Sequence, residues 1–465
     1  MFFEKIESYK NNVALSLDEN NKIYYRDILD ISFRFQKEIK KRSLVFFLSE
    51  NSVDSFCGYI SLIRAGCVLM ILDANIKEVD LKMLISKFEP QYIFCSKNNQ
   101  KKIKDRKFGL IYSLNSFDLL KNKKKLYYKI NDKLMLMLST SGSLSEPKFV
   151  KLSFENIKSN TKSIISYLNL NSKDCSITTM PMSYSYGLSV INSHFISGGS
   201  IVPNNFSIVD KKFWKLYSQI KLTNINGVPY FYEILCKVGF KRLLENKLRF
   251  ITQAGGKIGN KVFNKVAGNC LKNNISFFLM YGQTEASPRI SYHKVNNSDL
   301  NKGILPIGKP INGGRIYLKS ADGSLIDQSN KEGELIYKGK NVFGGYAMKY
   351  EDLESFHNTK ELATGDIAKK DENKIFYITG RKGRFVKVYG YRINLDFMEQ
   401  KLNIKNHVAC VGVNEKIYIF SENKNLNIIN YFNIPKNSFR IIFIKKIPLT
   451  NNGKVSYNQL IKLIK

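Results

Sequence analysis

Through the first part of the chain, short apolar runs alternate with stretches whose apolar residues recur every three or four positions. Residues 43–48 read as a buried strand and 53–64 as an amphipathic helix, and 81–88 and 92–95 supply a second helix and strand. Alternation of this kind predicts parallel α/β layers. The pattern changes after Gly380-Arg381, where strand-like runs at 385–388, 408–413, 417–420 and 441–444 are interspersed with helical periodicity at 395–402 and 457–464. Neither a tandem repeat nor a long low-complexity linker interrupts the sequence.

The places where apolar runs end carry the candidate chemistry. Residues 134–138 give way to Ser139-Thr140-Ser141-Gly142-Ser143-Leu144-Ser145-Glu146-Pro147-Lys148. Such a loop can turn backbone N–H groups, hydroxyls and an ammonium toward one anion, which predicts a phosphate cradle. It is not a Walker loop, because Lys148 stands too far from Gly142 and is followed by Phe149 rather than Ser or Thr. Three later segments have related chemistry. Residues 278–287 break at Gly282 into Thr284 and Glu285, residues 362–366 end on Asp366, an acid suited to gripping a diol, and residues 449–454 present Lys454 at a turn.

In this order the four segments resemble the motifs of the adenylate-forming superfamily of acyl-CoA synthetases, peptide-synthetase adenylation domains and luciferases. The resemblance extends over nearly the whole chain, through Arg64-Ala65-Gly66, Gln253-Ala254-Gly255-Gly256, Gly333-Glu334-Leu335, Gly345-Tyr346, Gly380-Arg381 and Gly390-Tyr391-Arg392-Ile393. It implies an α/β fold with a large N-terminal ATP- and acyl-binding domain of several subdomains, residues 1–380. A small mobile α+β C-terminal domain, residues 381–465, would follow. It also implies a reaction in which a carboxylate attacks the α-phosphorus of ATP and pyrophosphate departs. The acyl-adenylate then yields to the thiol of CoA or of a carrier-protein phosphopantetheine. Little covalent chemistry is asked of such a protein, so positioning and charge stabilisation should dominate.

The resemblance assigns roles residue by residue. Thr140, Ser141, Gly142, Ser143 and Lys148 would hold the β- and γ-phosphates. Leu144, Ser145 and Phe149 depart from the usual pattern, which has a second hydroxyl and two glycines there, and Ser153 stands where many members carry histidine. Thr284 would touch the α-phosphate and Glu285 would hold Mg²⁺, a hard ion commonly served by one carboxylate plus phosphate oxygens. Tyr281 would lie against adenine, with Gly255 and Gly256 on its other face, and Asp366 would accept from both ribose hydroxyls beside Arg381. Lys454 would reach from the small domain to the carboxylate and α-phosphate, completing a catalytic set with Thr284 and Glu285. Gly383 would be the hinge on which the small domain turns.

Tyr184 would gate the acyl pocket and Ser185 would face the substrate. Amino-acid-activating members place an aspartate at the latter position to pair the α-ammonium group. An ammonium left unpaired beside a serine is penalised, so the expected substrate is a small carboxylic acid without an α-amino group. A stand-alone amino-acid adenylation enzyme is the second reading.

Composition adjusts the picture at few points. Across 465 residues, 43% are hydrophobic and 24% charged, an ordinary globular balance. The net charge of +34, from 73 Lys and Arg against 39 Asp and Glu, would ordinarily suggest a polyanionic partner. Basic residues are abundant from end to end and no nucleic-acid-binding motif accompanies them, so no nucleic-acid partner is expected. A catalytically weak nucleotide- or nucleic-acid-binding protein is a third reading, opposed by retention of Glu285, Asp366 and Lys454. No apolar run reaches the ~18–20 residues of a membrane span, and the first residues lack a secretory pattern, so a cytoplasmic location is expected. The seven cysteines contain no Cys-x-x-Cys pair, which argues against zinc and disulfides. His194, His293, His357 and His407 are too scattered to form a metal or nucleophilic group.

Overall fold

The computed structural model describes residues 2–103, 107–139, 148–388, 391–402, 407–413, 416–426, 438–450 and 453–464. Thr140, Ser141, Gly142 and Ser143 of the expected phosphate loop lie outside these residues.

Runs that are apolar at every position need cover on both faces, and they become the middle of parallel sheets. Leu44–Ser49 and Val68–Asp73 pair in parallel at the centre of an eight-stranded sheet, flanked by Tyr92–Ser96 and Leu134–Ser139. The intervening helix, Val53–Arg64, starts where the Ser52 hydroxyl accepts from the Ser55 N–H at 3.4 Å. A second sheet has nine strands. Its parallel centre runs from Ser276–Gly282 through Phe250–Gln253, Asn224–Gly227, Cys175–Ile177 and Ser200–Val202 to Val13–Ser16. One apolar core joins the two sheets, with Phe47, Ile71 and Leu136 from the first meeting Ile201, Phe250 and Phe278 from the second. The expected α/β layers are therefore present.

A third sheet of five antiparallel strands was not foreshadowed by the apolar pattern. It orders Leu325–Ile326, Arg315–Lys319, Gly333–Lys338, Glu361–Lys370 and Phe376–Arg381 around Leu318, Leu335, Ala368 and Phe376. The expected boundary at residue 380 falls inside its last strand, which continues to Arg381.

A smaller C-terminal domain follows, with cores of its own. The hairpin Phe385–Val388 and Tyr391–Asn394 leads into the helix Leu395–Leu402. A three-stranded sheet of Val408–Val413, Lys416–Ser421 and Phe439–Phe443 comes next, and Tyr457–Lys462 is the last helix. Among the described residues no helix is long and apolar enough to cross a membrane. All seven cysteines are free, and six are buried.

Candidate active site

Lys454 sits at the mouth of a tight turn. Thr450 N–H donates to the Lys454 carbonyl at 2.7 Å, and the Lys454 N–H returns to Thr450 Oγ1 at 3.2 Å. Gly453 makes the turn with φ of +73°, a conformation that costs glycine little and other residues more. The turn carries the half-buried Lys454 ammonium toward the large domain. Burial and the charge of Arg381 lower its pKa from the ordinary value, while Asp366 and Glu285 pull the other way. Groups from three other segments thus act electrostatically on Lys454.

Asp366, in the third sheet, is 3% exposed and accepts a hydrogen bond on each oxygen. The Tyr281 hydroxyl donates to Oδ2 at 2.5 Å and Arg381 Nε donates to Oδ1 at 2.7 Å. Burial, then the carboxylate beside it, pushes the Tyr281 phenol well above its ordinary pKa, and Asp366 holds Arg381 more firmly charged. The sequence reading paired Tyr281 with adenine alone; its bond to Asp366 links the two nucleotide motifs directly.

Thr284 and Glu285 lie on a short 3₁₀ turn, Thr284–Ala286, after the strand Ser276–Gly282. Thr284 Oγ1 is 3.2 Å from Ser185 Oγ, so the expected phosphate and acyl contacts are neighbours. Glu285 Oε1 accepts from the Tyr346 hydroxyl at 3.0 Å. Ser185 opens the helix Ser185–Ser197, with Tyr184 at its N-cap.

Gly255 has φ of +87°, and a Cβ there would stand 2.4 Å from the Tyr184 hydroxyl. The gate residue therefore lies over the glycine expected to face adenine. A Cβ on Gly256 would instead be 3.3 Å from Pro229. Tyr184, Phe206, Tyr230, Phe231 and Gly453 border an apolar cavity of about 180 Å³. That volume is below the ~300–1,000 Å³ usual for drug-sized ligands, and suits a small acid or a slender arm.

Lys148 is exposed at the start of the strand Phe149–Ser153, and Phe149 pairs with Ser139, so the loop between them leaves and re-enters at adjacent points. Among the described residues no three His, Cys, Asp or Glu side chains converge on a metal position. Mg²⁺ bound by one carboxylate and phosphate oxygens does not require such a cluster.

Several residues at the site were not assigned roles from sequence. Tyr346 belongs to the Gly345-Tyr346 pair, which carried no function until its hydroxyl is seen on Glu285. Lys257 follows Gly256 directly; burial lowers its pKa against the opposing charges of Asp396 and Glu399 from the small domain. Arg289, four positions after Glu285, is almost wholly buried. Nothing in the mixed sequence of its strand, Arg289–Lys294, sets it apart from the other basic residues.

A model of the AMP-binding enzyme family matches residues 2–347, and the chain belongs to that family. It is 23% identical to D-alanine–D-alanyl carrier protein ligase of Staphylococcus aureus (strain Newman), covering 96% of this chain and 94% of the relative. It is also 23% identical to polyketide synthase PksN of Bacillus subtilis (strain 168), over 99% of this chain but only 9% of that much longer protein. The fold matches the crystal structure of ATP-bound MatB from Rhodopseudomonas palustris with a TM-score of 0.79 at 19% identity, covering 100% of this chain and 99% of the other. The family is the one that the motifs of the chain led one to expect.

Proposed function

We propose that the protein activates a small carboxylic acid with ATP and Mg²⁺ as an acyl-adenylate, then passes the acyl group to the thiol of CoA or of a carrier-protein phosphopantetheine. The observation that carries this reading is the buried Asp366 carboxylate, which accepts from Tyr281 and Arg381, with Lys454 of the C-terminal domain near enough to feel Arg381, Asp366 and Glu285. A carboxylate oxygen bonds to the α-phosphorus as the bond to the β-phosphate breaks, and pyrophosphate takes the electron pair. The Lys454 ammonium offsets the charge that gathers between the acid and the phosphate. Preorganised charge of this kind is the largest single contribution in many such reactions.

Glu285 would hold Mg²⁺, which when bound neutralises phosphate charge; Tyr346 orients that carboxylate through its hydroxyl. The ribose diol would share Asp366, whose oxygens each retain acceptor capacity beyond the bonds from Tyr281 and Arg381. In the second step the thiolate attacks the acyl carbonyl and AMP leaves. The amino-acid reading draws support from the D-alanine ligase relative. It is opposed by Ser185, which meets the Thr284 hydroxyl and offers an ammonium group no charge.

A panel of carboxylic acids tested by ATP–pyrophosphate exchange checks the proposal, because exchange reports the first step without the acceptor. Acid- and Mg²⁺-dependent exchange is expected; hydrolysis to ADP and phosphate alone, with CoA and carrier proteins present, would contradict it.

A further inference from the structure

The turn that carries Lys454 is fixed within itself. Thr450 exchanges hydrogen bonds with Lys454, the Gly453 N–H donates to the Thr450 carbonyl at 2.9 Å, and Leu449 pairs with Val455 across the base. These bonds set the ammonium relative to the small domain. Its place relative to Asp366 and Glu285 is left to contacts with the large domain.

Tyr230 supplies such a contact. A Cβ on Gly453 would stand 3.3 Å from Tyr230 Cβ and 3.9 Å from Tyr230 Cγ, so the bare backbone of the turn comes down on the root of the tyrosine side chain. Tyr230 lies in the first turn of the helix Pro229–Val238, where the Phe231 N–H donates to the Val228 carbonyl at 3.0 Å. Proline suits the start of that helix, since it has the required φ and no N–H to leave unpaired. Phe231 and Tyr232 turn into the core of the second sheet, whereas Tyr230 is 43% exposed.

The residues before it touch the glycine pair expected at adenine. A Cβ on Gly255 would be 3.2 Å from Val228 Cγ1, and one on Gly256 would be 3.3 Å from Pro229 Cγ. Three consecutive residues, Val228, Pro229 and Tyr230, therefore meet Gly255, Gly256 and Gly453 in turn. The loop expected to hold the nucleotide and the turn that delivers the lysine are referred to one short segment. Lys257, directly after Gly256, sets its charge against Asp396 and Glu399 of the small domain, a second point at which this region faces that domain.

We infer that Tyr230 is a positioning residue, which seats the Gly453 turn so that the Lys454 ammonium arrives in register with the nucleotide held beside the glycine pair. This rests on the adenylation reading. Tyr230 acts through Lys454, whose charge helps only where it is already in place as the α-phosphorus is attacked.

The test measures ATP–pyrophosphate exchange with the preferred acid, and thioester formation from presynthesised adenylate, in Tyr230→Ala, Tyr230→Phe, Gly453→Ala and Tyr230→Ala combined with Lys454→Ala. Tyr230→Ala should lose roughly tenfold in kcat for adenylation with little change in KM for ATP, within the ~10²-fold that a misplacement of about 1 Å can cost. Tyr230→Phe keeps the ring and should match the wild type, and transfer from the adenylate should be unchanged in both. Gly453→Ala reaches the same contact from the other side and should slow adenylation at least as much. In the combined variant Tyr230→Ala should add nothing to the loss from Lys454→Ala, because it acts only through that lysine. Both Tyr230 variants should melt close to the wild type; if Tyr230→Ala melts early, Gly453→Ala decides, a loss in adenylation alone supporting the seat and no loss overturning it. Losses that multiply in the combined variant, or a wild-type rate in folded Tyr230→Ala, would overturn the inference and leave adenylation standing. So would a loss confined to transfer, which would place Tyr230 on the route of the acceptor. Absence of exchange with every acid in the wild type would overturn both readings together.

Discussion

Arg381 and Arg384, three positions apart, are fastened to different domains. Arg381 Nε donates to Asp366 in the third sheet at 2.7 Å, whereas Arg384 donates to Asp396 at 2.8 Å and to Glu399 at 2.5 Å within the C-terminal domain. Lys382 belongs with the former, its N–H on the Gly365 carbonyl at 2.7 Å and its ammonium on Glu334 at 2.8 Å. Gly383 is the residue left between the two anchorages, and no atom lies within 4 Å of where its Cβ would be. A rotation between adenylation and transfer would fall there. Gly383→Ala should therefore fold and adenylate at close to the wild-type rate, because its side chain meets nothing in this arrangement. Transfer should slow if the second arrangement needs a φ that alanine resists. Measuring the two half-reactions separately decides it, and unchanged rates in both would remove Gly383 as the hinge.

Lys454→Ala should lower acyl-adenylate formation by about 10²–10³-fold while leaving thioester formation from presynthesised adenylate largely intact. The ammonium is needed while the α-phosphorus is under attack, and the second step expels no pyrophosphate. Equal losses in single-turnover assays of the two steps would make Lys454 a structural residue.

The same lysine should set the alkaline limit of the first step. Burial and Arg381 lower its pKa below the ordinary 10.5, against Asp366 and Glu285. The charged form is the useful one, so adenylation should decline at a pH below that value. Stability goes the other way: the folded chain binds this proton less tightly than the unfolded chain. Its contribution therefore becomes more favourable as pH rises from the folded pKa toward 10.5. A pH profile of adenylation in Lys454→Arg should lose the alkaline decline, because the guanidinium stays charged. The same decline in that variant would assign it to another group.

Ser185→Asp should reverse part of the substrate preference. A carboxylate placed 3.2 Å from Thr284, where the α-phosphate is expected, would repel both the phosphate and a plain acid. An α-ammonium group would find a partner there. The expected result is at least a roughly tenfold fall in kcat/KM for the plain acid and a relative gain for its α-amino counterpart. Equal losses for both acids would show that Ser185 does not face that atom.

Much of the fold could be read locally. The helices Val53–Arg64 and Leu395–Leu402 and the strands Phe385–Val388 and Val408–Val413 have the bounds their sequence pattern predicts, although Val53–Arg64, expected to be amphipathic, is buried on nearly every side. The third sheet escaped because strands such as Glu361–Lys370 mix exposed, half-buried and buried positions without strict alternation. At the site, Glu285, Asp366 and Lys454 stood out because each belongs to a short recognisable segment. Arg289 and Tyr346 did not, because their surroundings depend on pairings between distant segments: Arg289 with Gly282 across strands, and Tyr346 with Val150, nearly two hundred positions away. No local spacing records such neighbours.

Transfer of an acid oxygen to AMP tests the central claim most directly. The preferred acid, isotopically labelled in both carboxylate oxygens, is turned over with ATP, Mg²⁺ and a thiol acceptor, and the phosphorus-containing products are weighed by mass spectrometry. Attack on the α-phosphorus leaves one labelled oxygen in AMP and none in pyrophosphate. Unlabelled AMP, or label in inorganic phosphate accompanied by ADP, would contradict the account.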